Sequence, residues 1–172
     1  IEEEPLPLVR QAARLRKELS AARVHLVLEQ AELRRRARTK FSQPQSMFFT
    51  PIGLEQATDE TVAFYKAARF RSAVPLADLC CGIGGDLTAL ARRASVMGVD
   101  RDPITALVAE ANLDALHPVA SGSPQRVHVA DAAAVALDRL AGWHIDPDRR
   151  PGGRRTTRVE LYEPDAATLD HL

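Results

Sequence analysis

A nine-residue stretch, Asp78-Leu79-Cys80-Cys81-Gly82-Ile83-Gly84-Gly85-Asp86, restricts the possible folds more than any other part of this chain. The apolar run Val74 to Leu79 leads into it, and an apolar helical pattern, Leu87 to Ala91, leads out. That order reads as a strand, a glycine-rich turn and a helix. Glycine lets bare backbone approach a ligand because no Cβ intervenes. The helix N-terminus behind the turn offers free N–H groups to a polar or anionic group. A second apolar run, Ser95 to Val99, ends in Asp100. An acidic residue at the tip of a second strand can hold the hydroxyls of a ribose. A third acidic tip, Asp131, follows Arg126-Val127-His128-Val129-Ala130.

Apolar runs and turn signals predict strands over 75–80, 95–99, 126–130 and 143–145. Helices are expected between them over 85–93, 103–116 and 132–141, with Asp102 as cap and Pro103 at the first helical position. Alternating strands and helices imply an α/β fold with a mostly parallel, Rossmann-like sheet and right-handed crossovers. Upstream, apolar positions from Leu8 to Ala37 recur at helical spacing, which predicts one long helix or two with a break near Ser20. Residues 41–57 read as loop, and Thr58 as the cap of a helix running to about Arg71. The division expected is an N-terminal helical extension with its loop, 1–57, and a Rossmann-like domain, 58–172.

The turn is D-x-x-C-G-x-G-G-D rather than the G-x-G-x-x-G of dinucleotide sites. Asp86 at the helix start would repel a pyrophosphate, whereas Asp78 and Asp86 suit a ligand that carries an ammonium group. Those features favour S-adenosylmethionine over NAD.

D-L-C-C-G-I-G-G-D, then G-V-D-R-D-P, A-D and I-D-P-D-R-R, resemble motifs I to IV of class I S-adenosylmethionine-dependent methyltransferases. Within that class the chain is most similar to the trimethylguanosine-synthase-like group and its bacterial relatives with a THUMP-like C-terminal domain. Phe48-Phe49-Thr50-Pro51 resembles the F-T-P segment with which these enzymes close over the methionine end of the cofactor. The resemblance spans about residues 40 to 165. It implies that Asp78, Cys80, Gly82, Gly84 and Asp86 form the methionine end, with Thr50 near the cofactor carboxylate. Asp100 would hold the ribose, Arg101 and Asp102 would flank the adenine, and Asp131 would receive the adenine amino group. Asp131 equally fits an N-cap for helix 132–141, and the two roles are compatible. Seven strands are expected of such a fold and four are legible, so the chain is expected to continue past Leu172.

Motif IV carries the expected catalytic group: Asp146 as the carboxylate beside the acceptor, with Pro147 and Arg149. Amino-methyltransferases place a second proline and an aromatic where this chain has Asp148 and Arg149. An arginine plane can also stack on a base. Asp148, Arg150, Arg154 and Arg155 are expected to bind substrate, since Arg149 to Arg158 holds five arginines and two glycines beside the acceptor position.

Composition narrows the remaining classes. Lys and Arg together number 23, as do Asp and Glu, so no global basic field draws the chain to nucleic acid. The two cysteines are adjacent, which offers neither a disulfide framework nor a metal set. A cytoplasmic setting follows as the expectation. No apolar run reaches the length of a membrane span, and the start, Ile1 to Pro5, does not read as a signal peptide. The sequence thus predicts an S-adenosylmethionine-dependent methyltransferase acting on RNA. A small-molecule methyltransferase and a non-catalytic nucleotide- or RNA-binding module are its rivals.

Overall fold

The computed structural model describes residues 8–72, 74–119, 126–149 and 156–172. The N-terminal segment forms two helices, α1 (Leu8–Leu15) and α2 (Ala21–Ala37). The break falls at Ser20, whose hydroxyl accepts from the Arg23 N–H and caps α2. The stretch expected to be loop contains structure: a 3₁₀ turn, Pro44–Ser46, and the short helix α3 (Pro51–Gln56). Thr50 caps α3 by accepting from the Gly53 N–H, and Pro51 takes the first position, where a missing N–H costs nothing. The next helix, α4 (Glu60–Ala67), is capped by Asp59 rather than Thr58.

Four parallel strands follow: β1 (Leu76–Leu79), β2 (Val96–Asp100), β3 (Val127–Val129) and β4 (Gly142–Ile145). They lie in the order β3-β2-β1-β4. Helices α5 (Gly85–Ala91) and α6 (Pro103–Leu116) link the first three, with Asp102 capping α6 as expected. All of β1 is buried, as a central parallel strand covered on both faces must be. The register pairs Asp78 with Gly98 on one side and His144 on the other.

The helix expected over 132–141 does not form. A single 3₁₀ turn, Ala132–Ala134, is capped by Asp131, and the chain then runs irregularly to β4. Val135, Leu137 and Leu140 instead pack beneath Ala77, Leu79 and Val99, so tertiary burial overrides the helical propensity of an alanine-rich segment. Further on, a 3₁₀ turn, Val159–Leu161, precedes the last helix, α7 (Ala166–His171).

The N-terminal segment and the sheet domain share a core. Leu33 and Ala37 of α2, Phe41, Met47, Phe49 and Leu54 pack with Ile83 of the glycine turn and with Val108 and Leu116 of α6. Amide side chains complete this joint. Gln30 reads the Phe49 backbone, donating to its carbonyl at 2.6 Å and accepting from its N–H at 3.1 Å. Asn112, fully buried, accepts from the Phe48 N–H and donates to the carbonyls of Phe48 and Ile83. The F-F-T-P segment is thereby fixed against the turn that it faces.

Candidate functional site

A cleft of about 820 Å³ opens at the C-terminal ends of β1, β2 and β4. Its floor is the turn from Cys80 to Asp86, and α3 with its flanks, Thr50 to Thr58, forms one wall. The other walls are Asp100 to Asp102, Ala130 to Ala132, Asp146 to Arg149, and the pair Glu163-Pro164. The chain leaves β1 in one direction for β2 and returns in the other for β4, so the cleft sits at a topological switch point, where open α/β sheets bind ligands.

The turn needs unusual backbone. Cys80, Gly82 and Gly84 have φ of 62°, 55° and 89°. A Cβ at Gly82 would meet nothing within 4 Å, so this glycine leaves its backbone bare to the cleft. Gly84 has a different task, since its ideal Cβ position lies 3.5 Å from the Ala109 Cα where α5 begins. Asp100 stabilises the turn: its Oδ2 accepts from the Gly82 N–H at 2.9 Å and its Oδ1 from the Asp102 N–H at 3.0 Å. Burial pushes the Asp100 carboxyl above its ordinary range, against the pull of those two hydrogen bonds. The Cys80 thiol is pushed up to about 12 by burial, then by the Asp100 and Asp78 carboxylates. Burial raises Cys81 as well. Both stay protonated near neutral pH, so neither is an activated nucleophile.

Two charged groupings lie under and beside this floor. Asp78 is 1% exposed, and its Oδ1 accepts from His144 Nδ1 at 2.9 Å, while its Oδ2 is buried without a partner. Burial raises the Asp78 carboxyl, partly opposed by His144. Burial alone would lower His144, but the hydrogen bond and charge of Asp78 outweigh it and hold the imidazole above its ordinary value. Beside the floor, Lys66 Nζ donates to Asp86 Oδ2 at 2.9 Å and to Asp146 Oδ2 at 3.0 Å. Thr58 Oγ1 donates to the same Asp86 oxygen at 2.7 Å, and Asp86 Oδ1 remains buried without a partner.

Of the residues expected at the site, Thr50, Cys80, Gly82, Asp86, Asp100, Arg101, Asp131, Asp146, Pro147, Asp148 and Arg149 line the cleft. Asp78 and Gly84 do not, because Asp78 is turned into the sheet toward His144 and Gly84 packs on α6. Arg150, Arg154 and Arg155 lie outside the described residues. Arg101 is engaged with Glu163, and Asp102 with the Thr105 N–H. Gln56 Nε2 donates to Asp148 Oδ1 at 3.3 Å across the cleft. In the basic run from Arg34 to Lys40, three side chains are spent on structure. Arg34 donates to the Met47 carbonyl and lies over the Phe48 ring, Arg35 pairs with Glu32, and Lys40 Nζ donates to the carbonyls of Leu54, Glu55 and Ala57. Those three carbonyls end α3, where a cation is favoured.

Lys66 and His144 were not legible as site residues. Each meets its partner across long sequence separation, 80 residues for Lys66 and Asp146 and 66 for His144 and Asp78. The one available signal was that Lys66 is among only three lysines in an arginine-rich chain. Among the described residues, no group of three or more His, Cys, Asp or Glu could hold a metal ion. No described helix is long and apolar enough to cross a membrane.

Strand order, parallel pairing and the cleft at the switch point define a Rossmann-like α/β domain of the class I methyltransferase type. The crystal structure of a candidate methyltransferase from Porphyromonas gingivalis W83 superposes with a TM-score of 0.66 at 25% identity, over 88% of this chain and 40% of that one. Uncharacterized S-adenosylmethionine-dependent methyltransferases from two Mycobacterium tuberculosis strains, CDC 1551 / Oshkosh and ATCC 25618 / H37Rv, are 34% identical over 151 residues. That match covers 83% of this chain and 40% of the length of those relatives. No family model matches. By sequence likeness and fold, the chain is similar to S-adenosylmethionine-dependent methyltransferases, and it spans about two fifths of the length of those relatives.

Proposed function

We propose that this chain binds S-adenosylmethionine in the cleft and that its methyl group passes to a nucleophile presented at the β4 tip. The observation that carries the reading is Asp100. Its carboxylate stands at the tip of β2 and lines the cleft while holding the Gly82 and Asp102 N–H groups. Each oxygen spends one lone pair on backbone and keeps another for a ribose hydroxyl. The other lining groups fit the same ligand. Gly82 presents bare backbone, Asp131 faces the cleft beyond β3, and Asp86 keeps a buried oxygen without a partner.

The cofactor supplies a methyl group already activated on a sulfonium, so the protein's share is positioning and exclusion of water. Asp100 and Asp131 would fix the nucleoside, and the 80–86 turn the methionine end. Asp146 accepts a hydrogen bond from the incoming N–H or O–H and orients its lone pair. Arg149, at the cleft beside it, offers a planar cation to a base or a phosphate. RNA is the acceptor class that this arginine and the arginine-rich sequence after it support, as does the likeness of the motif segments to the trimethylguanosine-synthase-like group.

A small neutral or cationic acceptor is the second reading. Eight Asp or Glu line the described cleft against two Arg, a balance that disfavours a polyanion entering deeply. Labelled-methyl transfer to pooled RNA, to proteins and to small amines separates these. RNA labelling that falls steeply with added salt supports the first reading. Labelling of small amines alone establishes the second, and no transfer to any acceptor by folded protein refutes both.

A further inference from the structure

Lys66 lies outside every segment of the chain that resembles a methyltransferase motif, yet it joins two of them. It sits in the last turn of α4, and its ammonium bridges Asp86, in the first turn of α5, to Asp146, just past β4. Thr58 closes the grouping by donating to the Asp86 oxygen that Lys66 also contacts. Both carboxylates line the cleft, whereas Lys66 does not and reaches them from behind. Its side chain is 26% exposed and that of Asp86 10%, enough shielding for that pair to be firmer than a surface ion pair, while the Asp146 side chain is 43% exposed.

We propose that Lys66 is a positioning residue for methyl transfer: it ties the Asp146 carboxylate to the cofactor turn through Asp86, so acceptor and donor ends of the cleft share one frame. This rests on the methyl-transfer reading above. Asp146 is attached to the sheet only through a tip that projects beyond β4 and is partly exposed. Without the bridge, its oxygen is free to swing, and small displacements of a positioning group are costly to rate. Two carboxylates would also face each other with no cation between them. Asp78 and His144, paired with each other in the sheet below, are the described groups of the sheet whose charges act on Lys66 and Asp86.

The chain has three lysines, Lys17, Lys40 and Lys66, so amine labelling of the free protein reads each one separately by mass spectrometry. Lys17 is exposed and serves as the internal standard. In Asp146→Asn, loss of one paired charge should raise Lys66 acetylation about tenfold relative to Lys17, since an opposite charge at this distance shifts an amine by roughly one pK unit or more. An unchanged Lys66 rate overturns the bridge. In turnover, Lys66→Met should lower kcat about tenfold with cofactor affinity nearly retained, and Lys66→Arg should recover most of it. On the Asp146→Asn background, Lys66→Met should add nothing. An equal loss on both backgrounds, or a loss seen only in cofactor affinity, overturns the proposal. The labelling arm needs no turnover. Silence of the wild-type chain toward every acceptor therefore strikes at the methyl-transfer reading, and a flat labelling response strikes at Lys66.

Discussion

His144→Ala should destabilise this protein severely, and the loss should depend on pH in a defined sense. The His144 Nδ1 to Asp78 Oδ1 contact is 2.9 Å, between side chains that are 12% and 2% exposed. The other Asp78 oxygen has no partner, so removing the imidazole leaves a buried carboxylate with none. Breaking a buried pair by deleting one partner costs about 3–5 kcal/mol. For a chain of this size that lowers the unfolding midpoint by roughly 6–20 °C. Asp78→Asn should cost less, because the amide keeps an acceptor for a neutral imidazole. The sign of the pH dependence follows from linkage. His144 is held above its ordinary value of 6.5, so its stabilising contribution is full below that value and is lost as pH rises through the higher folded value. Asp78 is also raised, so the folded state holds that proton more tightly, and its ionisation subtracts stability as pH rises above 3.8. Wild-type stability should therefore decline from neutral toward alkaline pH, and His144→Ala should lack that decline. The variant should instead recover as acid protonates the orphaned Asp78. Urea unfolding from pH 5 to 9 measures all of this. A loss under about 1 kcal/mol, the scale of an exposed pair, or a profile parallel to wild type, would refute the reasoning.

Three further outcomes are expected. Asp100→Ala should weaken S-adenosylhomocysteine binding at least tenfold in calorimetric titration, since losing a charged acceptor costs roughly 1.5–3 kcal/mol; unchanged affinity would sink the proposed pose. Asn112→Leu strands the Phe48 N–H and the carbonyls of Phe48 and Ile83, and should cost about 2–4 kcal/mol in chemical denaturation; a neutral result would mean that the F-F-T-P segment is held by packing alone. Gly53→Ala puts a methyl 2.3 Å from Ile83 Cγ2 and 2.7 Å from Thr50 Oγ1, and β-branched Ile83 is too stiff to yield freely. The overpacking of about 1–3 kcal/mol is offset by about 1 kcal/mol of helix propensity. The net of about 0–2 kcal/mol should lower the unfolding midpoint by no more than about 8 °C, while α3 leaves the turn and cofactor affinity drops; retained affinity would exclude α3 from the binding wall.

The sheet half of this fold was legible because its signals are local. The Asp102-Pro103 pair set the start of α6, and apolar runs located each of the four strands to within two residues. The acidic tips Asp100 and Asp131 were found because each directly follows such a run. Where burial competes with propensity, local reading failed: the stretch from Ala132 to Ala141 has helical composition but spends its apolar side chains on the underside of β1 and β2. The same limit hid α3, whose six residues are held by a Thr50 cap, the close approach of Gly53 to Ile83 and the Lys40 ammonium. Asp78 looked like a ligand residue from its motif position. Its rotation toward His144 depends on a strand pairing that spans 66 residues, which no local pattern encodes.

Titration of this chain with S-adenosylhomocysteine, with NAD as control, tests the central claim most directly. The account predicts a dissociation constant on the order of a micromolar for S-adenosylhomocysteine and no heat with NAD. Folded protein that binds neither, or binds both alike, would contradict the assignment of this cleft to S-adenosylmethionine.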